Sequence, residues 1–382
     1  MEFARFRFPT QIRFGAGARR ALQELAGAGH GAGVQRPLVV TDRGLTATDA
    51  YALMRATLDD VWPGAWRHFD GVHPNPRAED ADAAYRAYSD AGCDAVIGLG
   101  GGSAIDGAKA LILRIAAPTV PLTDIDLTTL PTHVVPLCAV PTTAGTGSEV
   151  GQSTVVTVAA LGRKMVFGAP ALLPSLAILD PELTVGLPPH LTAATGMDAM
   201  THAIESYVCP VFHPMCDGIA LEAIYRVQRF LPRAVADGRD LEARGEMLVA
   251  ASMGAVAFQK DLGAAHSLAH PLSTELGVHH GLANALVLPA VIRFNAAAHP
   301  QLYARVATAL GLPASDAPGT AVADYLDSFT RSIGIGQRLR DVVPDAARLV
   351  DLASRAFEDE CHRTNPRACR QDDLLALYQE AW

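Results

Sequence analysis

The sequence lacks paired cysteines, long apolar runs and an N-terminal leader pattern. Its six cysteines form no CxxC motif, which argues against a thiolate zinc site or a disulfide framework and is typical of a reducing compartment. No stretch approaches the roughly 18 uninterrupted apolar residues of a membrane span. The first residues also lack the apolar core of a signal peptide, so we expect a cytoplasmic protein without a membrane partner.

The sequence also lacks any run of basic residues. Its formal net charge is -9 and its pI is near 5.8, so we expect no nucleic-acid partner. Only 19% of the 382 residues are charged and 49% are hydrophobic, which is enough to bury the cores of two domains. The expected partners are small molecules.

The first half alternates strand-like and helix-like segments. Short apolar runs at 37–41 and 95–99 each end in a turn before a helical pattern, which predicts parallel strands with crossover helices. A third run, 134–140, opens into the Gly/Thr/Ser loop 142–149. Loops at such strand ends are where open α/β sheets bind ligands.

Beyond residue 187 the apolar spacing becomes helical. Pro188 and Pro189 precede long alanine-rich stretches with few β-branched runs. We therefore predict an α/β domain over 1–187 and an all-helical domain over 188–382. Residues 2–8 have edge-strand character and could pair across a two-fold axis.

Potential metal ligands concentrate in the helical half. Asp198 and His202 are four residues apart, so on a helix they project from one face. His266 and His270 repeat this spacing, and His280 follows a short distance on. A lone histidine on a helix is usually a packed or surface residue, but two such pairs favour a site. Carboxylate and imidazole ligands suit Fe(II), Zn(II), Co(II) or Mn(II).

A glycine-rich turn in the first half could bind a phosphate. Residues 98–106 (GLGGGSAID) follow an apolar strand and precede a helix, whose N-terminus favours an anion. The turn nearly matches GxGxxG, although it lies in a later βα unit than the usual dinucleotide fingerprint. Asp42 ends the first clear strand and could accept hydrogen bonds from a ribose diol, although such residues are most often turn residues or helix caps.

Motifs of one known family follow each other along nearly the whole chain. They are FGAGA at 14, HPNP at 73, GGGSAID at 100, PTTAGTGSE at 141, DPEL at 180, GMDAMTHAIESY at 196, HSLAHPL at 266, HHGLANALVLP at 279 and NPR at 365. The chain resembles the iron-containing, or group III, alcohol dehydrogenases. That resemblance implies a dehydroquinate synthase-like fold, with an α/β dinucleotide-binding domain containing a parallel sheet and an all-α metal-binding domain.

The same resemblance implies the residues of the site. One divalent metal, iron(II) in preference to zinc(II), would be held by Asp198, His202, His266 and His280. Residues implied to bind the cofactor are Gly101, Gly102, Ser103 and Asp106 at the pyrophosphate, Thr142, Thr143 and Ser148 on a second loop, and Lys164. Asp42 falls where an acidic residue disfavours NADP, so NAD(H) is expected, and His270 falls on a histidine with a proton-relay role. The family resemblance also suggests a homodimer or larger homo-oligomer.

The implied function is a metal- and NAD(H)-dependent alcohol dehydrogenase or aldehyde reductase. Hydride would pass between the nicotinamide and a small alcohol or aldehyde in the cleft between the domains, while the metal polarises the reacting oxygen. Asp198 disfavours a dehydroquinate synthase, whose metal site typically has Glu at that place. A non-catalytic metal-binding protein is the alternative outside the enzymes, and the nucleotide loops argue against it.

The substrate class stays open between neutral and anionic molecules. Lys260 could be the counter-charge for 4-hydroxybutyrate or its semialdehyde, or for a phosphono- or sulfo-aldehyde. A lysine on a helix is usually solvated, however, so a small neutral alcohol or aldehyde is the simpler expectation.

Overall fold

The computed structural model describes residues 6–8, 10–27, 33–159 and 163–382. These separate into two compact units. One unit contains Phe8–Thr143 and Gly147–Leu187, and the other contains Pro188–Trp382, Ala144–Thr146 and the described residues 6 and 7. Of the expected edge strand at 2–8, residues 2–5 lie outside the described residues, and residues 6–8 are not in a strand.

The first unit is built on a parallel β-sheet. Its strands are β1 (Gln11–Phe14), β2 (Pro37–Val40), β3 (Arg67–Phe69), β4 (Ala95–Gly100), β5 (Leu137–Pro141), β6 (Ser153–Val158), β7 (Arg163–Gly168) and β8 (Leu176–Leu179). Six of them form one sheet in the order β1-β8-β5-β4-β2-β3, in which every pairing is parallel. Strands β6 and β7 form a separate antiparallel hairpin. The predicted α/β class is confirmed.

Helices cover both faces of this sheet. They are α1 (Gln23–Ala26), α2 (Arg43–Thr46), α3 (Asp49–Val61), α4 (Ala78–Asp90) and α5 (Gly102–Ala116). Because side chains alternate along a strand, Val39 packs with α3 in one core whereas Leu38 and Val40 pack with α4 and α5 in another. The strands are buried on both faces, as parallel strands with crossover helices require.

The strand order reverses between β2 and β4. The chain leaves β2 to form β3 on one side and then returns to form β4 on the other side. The carboxyl ends of β2 and β4 therefore flank the topological switch point, where sheets of this kind bind their ligands. Gly100 ends β4 with a φ of +142°, and a Cβ there would lie 2.7 Å from the Cβ of Ala104. Only glycine fits this turn without strain.

The second unit is helical. Its helices are α6 (Pro189–Val208), α7 (Pro214–Ala236), α8 (Leu241–Ala257), α9 (Ala264–Leu276), α10 (His280–Ala296), α11 (Pro300–Ala309), α12 (Pro318–Ser332), α13 (Leu339–Val342), α14 (Arg348–Glu358) and α15 (Gln371–Ala381). Every residue from 188 to 382 is described and none lies in a strand, as the sequence predicts. Helices α7, α8 and α10 pack around α6, and α6 is therefore buried continuously from Thr192 to Val208. Across the described residues, no helix combines the length and apolar character that crossing a membrane requires.

Replacement of Gly100 by Ala should destabilise the first unit. A side chain at this φ and this distance from Ala104 forces the turn to move, at a cost of about 2 kcal/mol or more. Gly186→Ala is the matched control, because a Cβ at Gly186 meets nothing within 4 Å. Chemical denaturation followed by circular dichroism would measure both variants, and equal stability would contradict the constraint assigned to Gly100.

Candidate metal centre and nucleotide site

Helix α6 presents a carboxylate and an imidazole from one face. Asp198 and His202 stand one turn apart, and both are buried. The Oδ1 atom of Asp198 lies 4.0 Å from Nε2 of His202. This confirms the helical spacing inferred from the sequence.

Helices α9 and α10 bring two further imidazoles to the same carboxylate. Nε2 of His280 lies 3.4 Å from Oδ1 of Asp198, and Nε2 of His266 lies 3.9 Å from it. Potential ligand atoms of Asp198, His202 and His266 all lie within 4.8 Å of one another. The rings of His202 and His266 stack with their centroids 4.7 Å apart. The four residues expected to be ligands are therefore gathered at one point.

Small residues let the helices approach closely enough for this arrangement. A Cβ at Gly281, in the first turn of α10, would lie 2.0 Å from the carbonyl oxygen of Ala194 on α6. A Cβ at Gly254, on α8, would lie 3.2 Å from the Cβ of His202. A Cβ at position 281 would force the backbones of α6 and α10 apart, whereas one at position 254 would make a tight contact that α6 must relieve by a small shift.

The protonation states of these side chains suit metal ligation. Burial alone would raise the pKa of Asp198, but the three histidines and Asn284 lower it to about 2. Burial lowers the pKa of His202 to about 4 and that of His280 well below its usual value, although Asp198 opposes both shifts. At neutral pH the site therefore offers an ionised carboxylate at Asp198 and neutral imidazoles at His202 and His280, which is the state that binds a metal. Burial lowers the pKa of His266 as well, but the hydrogen bond and the charge of the Glu205 carboxylate outweigh it, so that this pKa is raised.

The balance of donors and acceptors also fits a cation. Between the carboxylate and the imidazole nitrogens lies Nδ2 of Asn284, which is 2.9 Å from Oδ1 of Asp198 and 3.3 Å from Nε2 of both His266 and His280. One amide group has two hydrogens to share among these acceptors. A divalent ion would satisfy the lone pairs that these donors leave unpaired.

His270 lies beside the metal ligands and is paired with a carboxylate. Its ring stacks on that of His280 with centroids 5.3 Å apart, and its Nδ1 lies 2.7 Å from Oδ2 of Asp359. Asp359 also accepts hydrogen bonds from the hydroxyl of Ser267 and the amide of Cys361. Since Nδ1 donates to Asp359, Nε2 of His270 is the atom that can accept a proton.

His270, Asp359 and Cys361 have potential ligand atoms close enough to suggest a second metal centre. The hydrogen bonds to Asp359 instead form a closed network. Burial and the neighbouring Asp359 raise the pKa of the Cys361 thiol well above its usual value. A protonated thiol is a poor metal ligand, so this cluster serves to hold His270.

The sequence-predicted nucleotide residues meet at the switch point of the first unit. Asp42 follows β2 and caps α2, because its Oδ1 accepts a hydrogen bond from the amide of Leu45 at 3.0 Å. Its Oδ2 lies 3.5 Å from where a Cβ of Gly100 would be. Gly101 is the N-cap of α5 and Gly102 is its first residue. The backbone amides that have no partner within this helix therefore lie close to the carboxylate of Asp42.

Other predicted nucleotide residues hold the turn and the second loop in place. The hydroxyl of Ser103 donates to the carbonyl of Pro74, and the amide of Thr142 donates to the carbonyl of Gly100. Thr143 packs against Gly101. Lys164 lies half-buried on β7, and burial lowers its pKa although Asp106 opposes the shift. Which of these residues touch a cofactor stays a prediction.

Lys109 is a buried cation that the sequence gave no reason to single out. Its ammonium group donates to the hydroxyl of Ser148 and to the carbonyls of Gly151 and Ser153, each at 2.9 Å. The hydroxyl of Ser148 in turn donates to the carboxylate of Asp106 at 2.6 Å. Burial lowers the pKa of Lys109 to about 8 against the attraction of Asp106. Lys109 thus ties the loop after β5 to helix α5.

Comparisons with known proteins decide the family. Residues 9–181 match the family model of iron-containing alcohol dehydrogenase, and residues 192–382 match that of the C-terminal part of the Fe-containing alcohol dehydrogenase family. The chain belongs to the iron-containing alcohol dehydrogenase family. It is an oxidoreductase of alcohols and aldehydes, as its relatives are.

Relatives and solved structures resemble this alcohol dehydrogenase over nearly its whole length. It is 38% identical over 368 residues to 4-hydroxybutyrate dehydrogenase of Cupriavidus necator, covering 91% of this chain and 93% of the relative. It superposes on the crystal structure of a 1,3-propanediol oxidoreductase with a TM-score of 0.91 and 32% identity, covering 99% and 100% of the two chains. It also superposes on sulfoacetaldehyde reductase from Bifidobacterium kashiwanohense in complex with NAD+, with a TM-score of 0.89, 31% identity and coverage of 100% and 99%.

Sequence reasoning missed three residues near the predicted metal ligands of this dehydrogenase. Glu205 stands on the same helix as His202, three residues on, and Asn284 stands four residues after His280. Helical spacing from the ligands could have indicated both of them. Asp359 gives no local signal, because 89 residues separate it from His270.

Lys260 does not have the environment that the sequence suggested. It ends the 3-10 turn Phe258–Lys260 and is 3% exposed. Its ammonium group forms an ion pair with Asp217 and donates to the carbonyl of Tyr207. Lys260 is therefore not a solvated residue, and its charge is already neutralised inside the helical unit.

Lys109→Met should weaken both the fold and nucleotide binding. The change leaves buried acceptors and the carboxylate of Asp106 without their cation, at a cost of about 3 kcal/mol or more in the free energy of unfolding. It also releases the loop around Ser148, so we expect weaker NADH binding in a fluorescence titration.

Arg114→Met is the matched control for this prediction. Arg114 is a buried cation on the same helix, but its partners are Asp82 and the carbonyl of Val120. It should lower stability without a comparable loss of NADH affinity. Equal NADH affinities for the two variants would refute the role given to Lys109.

Proposed function

We propose that this enzyme is an NAD(H)- and metal-dependent dehydrogenase of small alcohols that also runs as an aldehyde reductase. The observation that carries the proposal is the convergence of one buried carboxylate and three imidazoles. Asp198, His202, His266 and His280 would hold a single divalent ion, iron(II) in preference to zinc(II). A bound divalent ion supplies Lewis-acid polarisation of the reacting oxygen, and a nicotinamide supplies or receives the hydride.

The side chains of the helical unit would have separate roles in metal binding and proton transfer. Asp198 would offset part of the charge of the cation, and His202, His266 and His280 would supply the other ligands. His270 has Nε2 available and accepts the proton that an alcohol loses when its hydride leaves. Asp359 accepts from Nδ1 of His270 and stabilises the imidazolium that then forms. His270 is partly exposed and passes the proton on to water.

The first unit would bind the nucleotide mainly with its backbone. Amides at the start of α5 would bind the pyrophosphate, because the helix dipole favours negative charge at that end. Asp42 lies beside that turn and would accept hydrogen bonds from the ribose diol. A 2'-phosphate at the same place would meet the carboxylate, so we propose NAD(H) over NADP(H). The solved NAD+ complex of a relative supports this cofactor class.

A neutral substrate is favoured over an anionic one. Lys260 was the candidate counter-charge, and Asp217 already neutralises it. The ring of Phe258 lies against His202 with centroids 5.2 Å apart, which places an apolar side chain next to a ligand. The similarity to a 4-hydroxybutyrate dehydrogenase favours the anionic alternative, so the two classes should be compared directly.

The test is NADH oxidation by anaerobically iron-loaded enzyme with butanal and with succinic semialdehyde, which have carbon chains of equal length. We expect the higher kcat/KM with butanal. A preference for the semialdehyde would replace the neutral substrate class by an anionic one. Absence of turnover with both would overturn the proposed function.

Two adjacent histidines provide the ligand control for this assay. His280→Ala removes a proposed ligand and should lower kcat/KM about 1000-fold or more together with metal content. His279→Ala removes the exposed neighbouring imidazole and should leave most of the metal and activity in place. Retention of metal and activity by His280→Ala would remove His280 from the ligand set.

Replacement of Asp42 tests the cofactor preference. Removal of its charge should raise kcat/KM with NADPH relative to NADH about 10-fold or more, because a 2'-phosphate no longer faces a carboxylate. Asp42→Ser keeps a side chain that can cap α2, whereas Asp42→Ala removes cap and charge together. A shift in cofactor preference common to both variants therefore reports the charge. An unchanged ratio in Asp42→Ser would contradict the assignment.

A further inference from the structure

A second carboxylate of α6 contacts the metal site without being one of the proposed ligands. Glu205 is 3% exposed and stands one turn after His202. Its Oε2 lies 2.6 Å from Nδ1 of His266, and its Oε1 accepts a hydrogen bond from the amide of Ala265 at 2.7 Å. One side chain therefore contacts both a proposed ligand and the start of the helix that supplies it.

The position of Glu205 is fixed from several sides. A Cβ at Gly263 would lie 2.7 Å from Oε1 of Glu205 and 3.0 Å from Oδ1 of Asn365. Oδ1 of Asn365 accepts a hydrogen bond from the backbone amide of Ala264. The side-chain amides of Asn365 and Asn295 each donate to the side-chain oxygen of the other. Consecutive amides in the first turn of α9 are thus satisfied by side chains from α6 and from the segment before α15. The helix N-terminus favours the negative charge of Glu205.

This contact determines which nitrogen of His266 carries the hydrogen. A carboxylate can only accept hydrogen bonds, so Nδ1 of His266 must be the donor. The lone pair of the neutral ring is then on Nε2, which points towards Asp198. With the opposite tautomer, the hydrogen on Nε2 would occupy the direction of the metal. A carboxylate behind a ligating histidine has this general effect on metal affinity.

We propose that Glu205 is a positioning residue that sets the tautomer and ring orientation of His266, and that the metal affinity of the enzyme depends on it. The inference rests on the proposed function, because it assumes that His266 binds a metal. Glu205 itself does not touch the metal or the substrate. A purely structural role as the cap of α9 is the competing explanation.

Glu205→Gln separates these two roles. The glutamine oxygen can still accept from the amide of Ala265, so the helix cap is kept. Its NH2 group then faces Nδ1 of His266, which favours the tautomer with the hydrogen on Nε2. If Glu205 were only the cap of α9, Glu205→Gln would leave both the stability and the metal affinity of the folded protein near those of the wild type. The tautomer role predicts weaker metal binding with the fold intact.

The experiment measures zinc affinity of metal-free protein by competition with a chromophoric chelator, and its Tm in parallel. We expect Glu205→Gln to raise the Kd for zinc about 10- to 100-fold while the metal-free Tm stays near that of the wild type. Ser206→Ala is the matched control. Ser206 is the next residue of α6, is buried, and its hydroxyl has no hydrogen-bond partner in the described residues.

Each outcome decides between the explanations. Wild-type affinity in Glu205→Gln, or an equal loss in Ser206→Ala, would overturn the inference. Absence of zinc binding by the wild type would instead defeat the proposed function. If Glu205→Gln does not fold, Glu205→Asp decides, since its carboxylate still demands a hydrogen on Nδ1 but reaches less far. A Kd for zinc that is raised above the wild-type value in Glu205→Asp supports the inference, and a wild-type Kd refutes it.

Discussion

The arrangement of the helical unit follows from one constraint, which is that a buried carboxylate must be compensated. Asp198 is buried on a helix that is packed on all sides, and among the described residues its polar neighbours are three imidazoles and the side-chain amide of Asn284. Burial lowers the pKa values of His202 and His280, so these two rings do not neutralise the carboxylate at neutral pH, and a bound cation would compensate its charge. The glycines at the helix crossings and the carboxylate behind His266 all serve to bring these lone pairs to one place.

The two units offer different kinds of groups to a charged ligand. The helical unit uses ionisable side chains, whose protonation is set by burial. In the proposed function, the α/β unit would bind the nucleotide with backbone amides, a helix N-terminus and a glycine turn, while several of its polar side chains hold the loops in place. Lys109 is an example, because this buried cation beside the predicted nucleotide loops donates to Ser148 and two backbone carbonyls and lies in the field of Asp106.

Sequence reasoning succeeded where function depends on local spacing and failed where it depends on contacts across the fold. The pair Asp198 and His202 and the α/β rhythm are visible in periodicity alone. Asp359 and Asn365 reach their partners across 89 and 101 residues, and no pattern in one sequence links them. The expectation that Lys260 is solvated was wrong for the same reason, because its partner Asp217 lies 43 residues away in the sequence.

Lysine is nearly absent from the surface of this enzyme. The sequence contains only three lysines, and of these Lys109 and Lys260 are buried and Lys164 is half-buried. Its exposed positive charges are therefore arginines, which keep their protons at alkaline pH values where lysines lose them. Amine-directed reagents would therefore find few lysine side chains on the surface. Slow acylation of the buried Lys109 or Lys260 would report local opening of the structure around them.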